Sequence, residues 1–396
     1  MRCLEVFLIL SMNFTQSLIK YKLKFRSEKK NRFAMDGYFC VLTTIDFFIL
    51  CFMCILTYLS ESLSRKQKRG FLSAFVLIAG ISILEVITLV VDGLPPAYRW
   101  LNIASNYMGF GMSPAVGICL VYVLDRKTVF RRKIRTAILF EIGYLIFLFV
   151  TIPYGIVFSV SADNIYSRGP HFCIYIIMYF GAILYLLVST IINAREFQNR
   201  SKLLIYPLIL FVMAESLIQI VLPQLHVTWL CVTLLSVLYF IYCNEMWNQL
   251  DALTGLLNQN SYLRKTGEMG CKGSVLVVFD VDDFKQINDS YGHVQGDLCL
   301  AEIAECIKKA YANFGYCYRI GGDEFCVLLK SVEKEDWCKQ EFLRRLEEKR
   351  RKITFLPTVS YGSALFSCGN IAAAKDKADQ DMYQYKYERK IRNGRV

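Results

Sequence analysis

The sequence predicts an α-helical polytopic membrane domain of about seven spans followed by an α/β domain. Three observations carry that expectation. Of 396 residues, 55% are hydrophobic and 20% charged, with a mean hydropathy of +0.35, whereas soluble chains are about a quarter charged. Seven apolar stretches reach the length needed to cross a bilayer, and all end before residue 247. Beyond Trp247 the apolar runs shorten and take strand-like and helix-like periods.

The stretches are 38–59, 71–91, 101–124, 136–160, 173–194, 203–222 and 228–246. Short connections join them, and the Lys/Arg content of those connections alternates. The gaps after the first, third and fifth stretches hold 13; the others hold only Arg99 and Arg168. Cytoplasmic loops carry the excess of Lys/Arg, so everything after the last stretch is expected in the cytosol. The basic run at 20–32 would then lie outside, against the same rule. Two expectations remain: the favoured one makes Met35 the initiator, with 1–34 an upstream segment, and the other makes 1–34 a real tail tolerated against the rule. The expected domains are 1–34, a membrane sensor domain at 35–246 and a cytosolic domain at 247–396.

The net charge of +12 resembles a nucleic-acid signal until it is divided. It splits into +6 for 1–34, +4 for 35–250 and +2 for 251–396. The soluble part is almost neutral, so a nucleic-acid-binding face is not expected. The 15 cysteines form no spaced framework, and reduced, buried thiols are the default in a cytosolic segment.

In the soluble part, 275–279 is a continuous apolar run ending in acids, which reads as a buried strand. Leu300, Ile303, Ile307 and Ala310 recur at helical spacing within 297–311. Residues 316–320 and 325–330 read as a hairpin about a Gly-Gly turn. A charged amphipathic helix is expected at 333–351, a strand at 358–366 and a final helix at 371–390.

Two acidic clusters stand out. Asp280-Val281-Asp282-Asp283-Phe284-Lys285 closes the buried strand, and Gly321-Gly322-Asp323-Glu324-Phe325 forms the hairpin turn. If those strands are neighbours, Asp280 and the turn acids converge at one sheet edge. Carboxylates on short connections are hard-oxygen ligands suited to Mg²⁺, which takes its remaining ligands from substrate phosphates and water. Gly321 and Gly322 remove side chains where a ligand approaches the backbone. Lys285 and the amides of 283–285 offer phosphate contacts. Asn288 and Asp297 offer the donors and acceptors that read a base edge.

Arg319 through Phe325 (RIGGDEF) matches the GGDEF signature, and other blocks agree in order and spacing. Residues 251–258 (DALTGLLN), 280–297 (DVDDFKQINDSYGHVQGD) and 379–386 (DQDMYQYK) resemble the family's opening turn, its metal and base block, and its final helix. Over about 250–393 the chain resembles the diguanylate cyclases, with a nucleotidyl-cyclase-like fold. The resemblance implies that two GTP are condensed to cyclic di-GMP with release of two pyrophosphates. It implies that Asp280, the Val281 carbonyl and Asp323 hold Mg²⁺ or Mn²⁺, and that Asp323 and Glu324 activate a 3′-hydroxyl. Asn288 and Asp297 then bind guanine. The backbone of Asp283 and Phe284, with Lys285, Lys386 and Lys390, meets the phosphates. The implied assembly is a homodimer in a bacterial inner membrane, multi-pass, with a cytoplasmic C-terminal domain and downstream cyclic di-GMP receptors.

Some positions depart from the family pattern. Lys390 replaces an Arg, Arg389 replaces a Gly, and the connection before Ala378 is short. Residues 312–315 read Ala-Asn-Phe-Gly where many relatives carry an inhibitory Arg-x-x-Asp product site. The alternatives are a catalytically weak domain acting as a nucleotide-binding receptor, and a transporter with a regulatory tail. Asp46, Glu85, Glu141 and Glu215 fall within apolar stretches that hold no Lys or Arg. Such acids are costly and mark either a ligand site or a neutral hydrogen-bonded acid.

Overall fold

A computed structural model of the chain describes residues 30–124, 128–196, 210–211, 227–268, 274–366 and 370–392. The chain divides into two compact units. One is Met1–Asn193 with Ser201–Asn244; the other is Ala194–Arg200 with Glu245–Val396.

The first unit is built on α1 (Lys30–Leu59), α2 (Arg65–Val91), α3 (Arg99–Leu124), α4 (Thr128–Thr151) and most of α5 (Cys173–Glu196) and α6 (Thr228–Asn248). Among the described residues, six helices are long and apolar enough to cross a bilayer. The expected span at 203–222 lies outside the described residues, apart from Leu210 and Phe211. Helix α2 starts with a capping box, in which Ser64 and Gln67 each satisfy the other's backbone N–H.

The fourth span is shorter than expected. Helix α4 stops at Thr151, and Pro153 sits in a 3-10 turn closed by left-handed Gly155. The remaining apolar residues become strand β1 (Phe158–Val160), paired antiparallel with β2 (Tyr166–Arg168). This hairpin is pinned by buried Asn164, whose amide donates to Val91 O at 2.7 Å and Leu94 O at 3.1 Å. Asn102 donates to Asn164 Oδ1 at 3.0 Å, and Arg99 donates to the carbonyls of Val160 and Ser161, each at 2.9 Å.

The second unit holds α7 (Gln259–Glu268), β3 (Ser274–Val281), α8 (Phe284–Tyr291), α9 (His293–Tyr311), β4 (Gly315–Arg319), β5 (Glu324–Leu329), α10 (Glu335–Arg350), β6 (Val359–Phe366) and α11 (Ile371–Arg392). The expected strands and long helices all form, with ends shifted by a few residues. Two short helices, α7 and α8, form in addition to the expected elements.

The four-stranded sheet has the order β4-β5-β3-β6, antiparallel throughout. Strand β3 is therefore central, which explains its continuous run of buried residues. Val275, Val277 and Phe279 pack with Phe325 and Val327, under the helical stripe of Leu300, Ile303 and Ile307 and against Phe342. Burying that stripe docks α9 and fixes the end of β3 from which the acids project.

Candidate functional site

The β3–β5 register sets Asp280 opposite Glu324. One residue further along, the Val281 N–H donates to the Asp323 carbonyl at 3.3 Å, drawing the Gly-Gly turn over the end of β3. The two acidic clusters therefore meet at one sheet edge, as their pattern anticipated. Gly322 is bordered by open space, so the chain's own packing does not require a glycine there; an approaching ligand would.

The turn is held from behind by Arg319. Its guanidinium donates to the Gly322 carbonyl from Nε (3.2 Å) and Nη2 (2.7 Å), and from Nη1 to Asp251 Oδ1 at 3.1 Å. Asp251 is fixed in turn by the backbone N–H and hydroxyl of Thr254, at 2.8 and 2.7 Å. Burial alone would raise the Asp251 carboxyl, but the bonds from Thr254 and Arg319 outweigh it and hold the group below its ordinary value. The opening 251–258 block thus buttresses the signature turn, a link that the sequence reading did not identify.

On the other side, β6 and α11 close on the strand end. Asp282 accepts from Thr358 Oγ1 at 2.8 Å, Ser360 Oγ at 2.7 Å and Arg389 at 3.0 Å, and Arg389 also donates to the Val359 carbonyl at 3.3 Å. Arg389, a departure from the family pattern, is thus a tie between the final helix and the acidic turn. One turn earlier on the helix, Lys386 donates to Asp280 Oδ1 and lies 3.9 Å from Asp282. Burial pulls the Lys386 ammonium down, but Asp280, Asp282 and Asp283 outweigh it and hold it above its ordinary value.

Asp283 adopts a left-handed conformation (φ 52°) and turns the chain into α8. This sets the backbone of Asp283 and Phe284 at the helix's first turn, where amides lack intrahelical acceptors. Lys285 is exposed there. Asn288, on the same helix, lies over Gly296 of α9: a Cβ at 296 would collide with Asn288 Oδ1 and stand 3.3 Å from the Phe284 ring. Gly296 therefore admits the Asn288 side chain, and Asp297, the next residue on α9, is exposed. Lys390 is exposed at the far end of α11.

The donor set suits a hard divalent cation. The β3–β5 register and the Val281–Asp323 backbone bond bring the chain at Asp280, Val281 and Asp323 to the same strand end, while no group of three His, Cys, Asp or Glu side chains able to hold a metal occurs among the described residues. A cation here would complete its shell from phosphate oxygens and water, the habit of Mg²⁺.

Residues 248–392 match the family described as diguanylate cyclase, GGDEF domain. The chain is 28% identical over 153 residues to probable diguanylate cyclase DgcJ of Escherichia coli (strain K12), covering 36% of this chain and 30% of that one. It is 32% identical over 139 residues to diguanylate cyclase A of Treponema denticola, covering 33% and 37%. A solved structure described as a novel interaction mode between a microbial GGDEF domain and bis-(3,5)-cyclic di-GMP is 30% identical. It covers 35% of this chain and 94% of that one, with a TM-score of 0.31. The chain spans about a third of the length of the curated relatives it matches.

Proposed function

From a GGDEF domain at residues 248–392, we propose that the chain is a membrane-bound diguanylate cyclase. Residues 35–246 form its membrane sensor domain and 247–396 its cytosolic catalytic domain, which condenses two GTP to cyclic di-GMP and two pyrophosphates. The observation that carries this reading is the pairing of Asp280 with Glu324, which gathers both acidic clusters where a nucleotide triphosphate needs its charge neutralised.

The roles are those that the resemblance to the diguanylate cyclases implies. Asp280, the Val281 carbonyl and Asp323 would hold Mg²⁺ or Mn²⁺, which when bound neutralises phosphate charge and polarises the α-phosphorus. Asn288 and Asp297 orient guanine. The amides of Asp283 and Phe284, with Lys285, Lys386 and Lys390, grip the triphosphate. Lys386 leaves Asp280 for a phosphate oxygen as substrate arrives, a short swing between anions. Glu324 and Asp323 draw the proton from the 3′-hydroxyl of the second GTP. The hydroxyl oxygen then bonds to the α-phosphorus as the bond to pyrophosphate breaks. Each domain holds one GTP, so two chains face each other and the product closes after two such steps. The membrane domain controls that encounter, in a bacterial inner membrane with the C-terminus in the cytoplasm, where the product reaches its receptors.

The test is incubation of the purified full chain in lipid nanodiscs with GTP and Mg²⁺, with product identified by mass spectrometry. Asp280→Ala and Asp323→Ala should each lose roughly 10²-fold or more in rate while retaining the fold. Wild-type turnover in either variant refutes the assignment. Reporter fusions after Leu63 should read as cytoplasmic and fusions near Pro95 as external; the reverse pattern overturns the orientation.

A further inference from the structure

Asp46 on α1, Ser82 on α2 and Thr233 on α6 meet inside the first unit. They are 1%, 5% and 0% exposed, respectively. Ser82 Oγ donates to Asp46 Oδ2 at 2.7 Å, and the Thr233 hydroxyl faces the same carboxyl from the third helix. Yet neither Asp46 Oδ1 nor Thr233 Oγ1 completes a hydrogen bond. Glu85, one turn beyond Ser82, bears on the same carboxyl with like charge, and among the described residues no cationic group acts on Asp46.

All three helices are long and apolar enough to cross a bilayer. A carboxylate sealed at such a position, with a second acid nearby and no cation among the described residues, is strongly unfavourable. Two buried oxygens on different helices, each lacking a partner, are the complement of one small electropositive guest. We propose that Asp46 Oδ1 and Thr233 Oγ1 hold a monovalent cation, a proton or Na⁺, in a site closed by Ser82 and Glu85. A proton would sit on Asp46 Oδ1 and be donated to Thr233. A sodium ion would take the carboxylate and hydroxyl oxygens as hard ligands. In either case the guest ties α1 and α2 to α6. Helix α6 ends at Asn248, just before the Asp251 turn that buttresses Arg319. Occupancy of the site therefore bears on the segment that leads into the catalytic domain.

The experiment needs no cyclase activity, so its failure is separate from failure of the proposed function. The full chain in nanodiscs is treated with dicyclohexylcarbodiimide, an apolar reagent for protonated carboxyls, and labelling of the Asp46 peptide is read by mass spectrometry. If the guest is a proton, labelling falls as pH rises and is the same in NaCl and choline chloride. If it is Na⁺, NaCl protects Asp46 at fixed pH and choline chloride does not. Asp46→Asn should abolish the label on that peptide. Thr233→Val, which keeps the shape and removes the hydroxyl, should move the midpoint by about one pH unit or the protecting Na⁺ concentration by about tenfold. Ser82→Ala should shift it in the same sense and serves where Thr233→Val fails to fold. Labelling indifferent to both pH and Na⁺ overturns the proposal, as does a midpoint unmoved in both hydroxyl variants.

Discussion

Arg319→Ala should disable the signature turn without touching substrate. The guanidinium is 15% exposed and its partner Asp251 24%, so this pair is shielded more than an ordinary surface ion pair. It makes three bonds to two acceptors, Asp251 Oδ1 and the Gly322 carbonyl. A hydrogen bond involving a charged group is worth about 1.5–3 kcal/mol net. Gly322 is exposed, so water can replace its donor and the loss there falls to about 1 kcal/mol. Asp251 keeps both bonds from Thr254, so its loss sits near the lower bound. The turn should therefore be destabilised by about 2–3 kcal/mol, which corresponds to roughly a 30- to 150-fold shift in its ordered population. Part of that shift is absorbed by any excess stability in the wild type, so the expected fall in kcat/KM is about 10- to 100-fold. Arg319→Lys retains a charge for Asp251 but loses the fork on Gly322, and should fall between the two. The assay is the initial rate of cyclic di-GMP formation by the full chain across GTP concentrations, with circular dichroism as the check on folding. An Arg319→Ala enzyme within twofold of wild type would refute the claim that this clamp positions the turn.

Two further outcomes follow from other contacts. If Asp297 reads guanine, Asp297→Ser should weaken discrimination against ATP, measured as the ratio of kcat/KM for the two nucleotides; ready use of ATP by the unchanged chain would remove Asp297 from the pocket. Lys349 bridges α9 and α10 by pairing with Glu302 and Glu305, and bonds from Lys309 and Lys349 hold the Glu305 carboxyl down at about 2. A carboxyl depressed by folding adds stability above its unfolded pKa, near 4.3, and loses it as pH falls towards the folded value. The urea midpoint should therefore drop between about pH 4.5 and 2. Because Glu305 is 44% exposed, solvent screening limits the effect of Lys349→Met to about 0.5–1 kcal/mol; a variant with an unchanged acid profile would rule out the bridge as its source.

What was legible in the sequence divides along physical lines. Strands β3 and β5, helix α9 and the Gly-Gly turn announce themselves through local period and turn chemistry, which need only a few neighbouring residues. Their adjacency was readable only as a condition, because strand order is a tertiary choice; the β3–β5 pairing meets that condition. Hydropathy carried the fourth span through to residue 160, because Phe158 and Val160 are as apolar as a span; Pro153 and Gly155 decide otherwise by ending the helix. The ties behind the site were invisible for a different reason. Arg319 and Asp251 are 68 residues apart, and Arg389 and Asp282 are 107 apart. Each arginine alone reads as ordinary surface charge until the sheet assembles. Asn288 and Asp297 were readable as a polar pair, but what seats Asn288, the missing side chain at Gly296, is a matter of packing.

The last prediction concerns feedback by product. Relatives with an inhibitory site carry Arg and Asp at the positions of Ala312 and Gly315, the Arg to grip a phosphate bidentately and the Asp to accept from guanine. In this chain the segment has been built into something else. Ala312 caps the end of α9, and the Phe314 ring packs edge-on against Trp337 at 5.5 Å. The Lys330 N–H donates to the Phe314 carbonyl at 3.0 Å. Gly315 begins β4 against Leu329 of β5, and a Cβ there would stand 2.5 Å from the Leu328 carbonyl oxygen and 2.9 Å from Leu329 Cα. No acid can be accommodated without moving the hairpin that carries the signature turn. Added cyclic di-GMP should therefore leave the progress curve unchanged, and calorimetry on Asp323→Ala should detect no tight product site at this surface. Ala312→Arg combined with Gly315→Asp should fail to install inhibition and instead destabilise the domain by about 1–3 kcal/mol through overpacking. Submicromolar inhibition of the wild type, or a double variant that gains inhibition at unchanged stability, would show that the packing around Gly315 does not exclude the site. If neither occurs, no brake by product acts at 312–315.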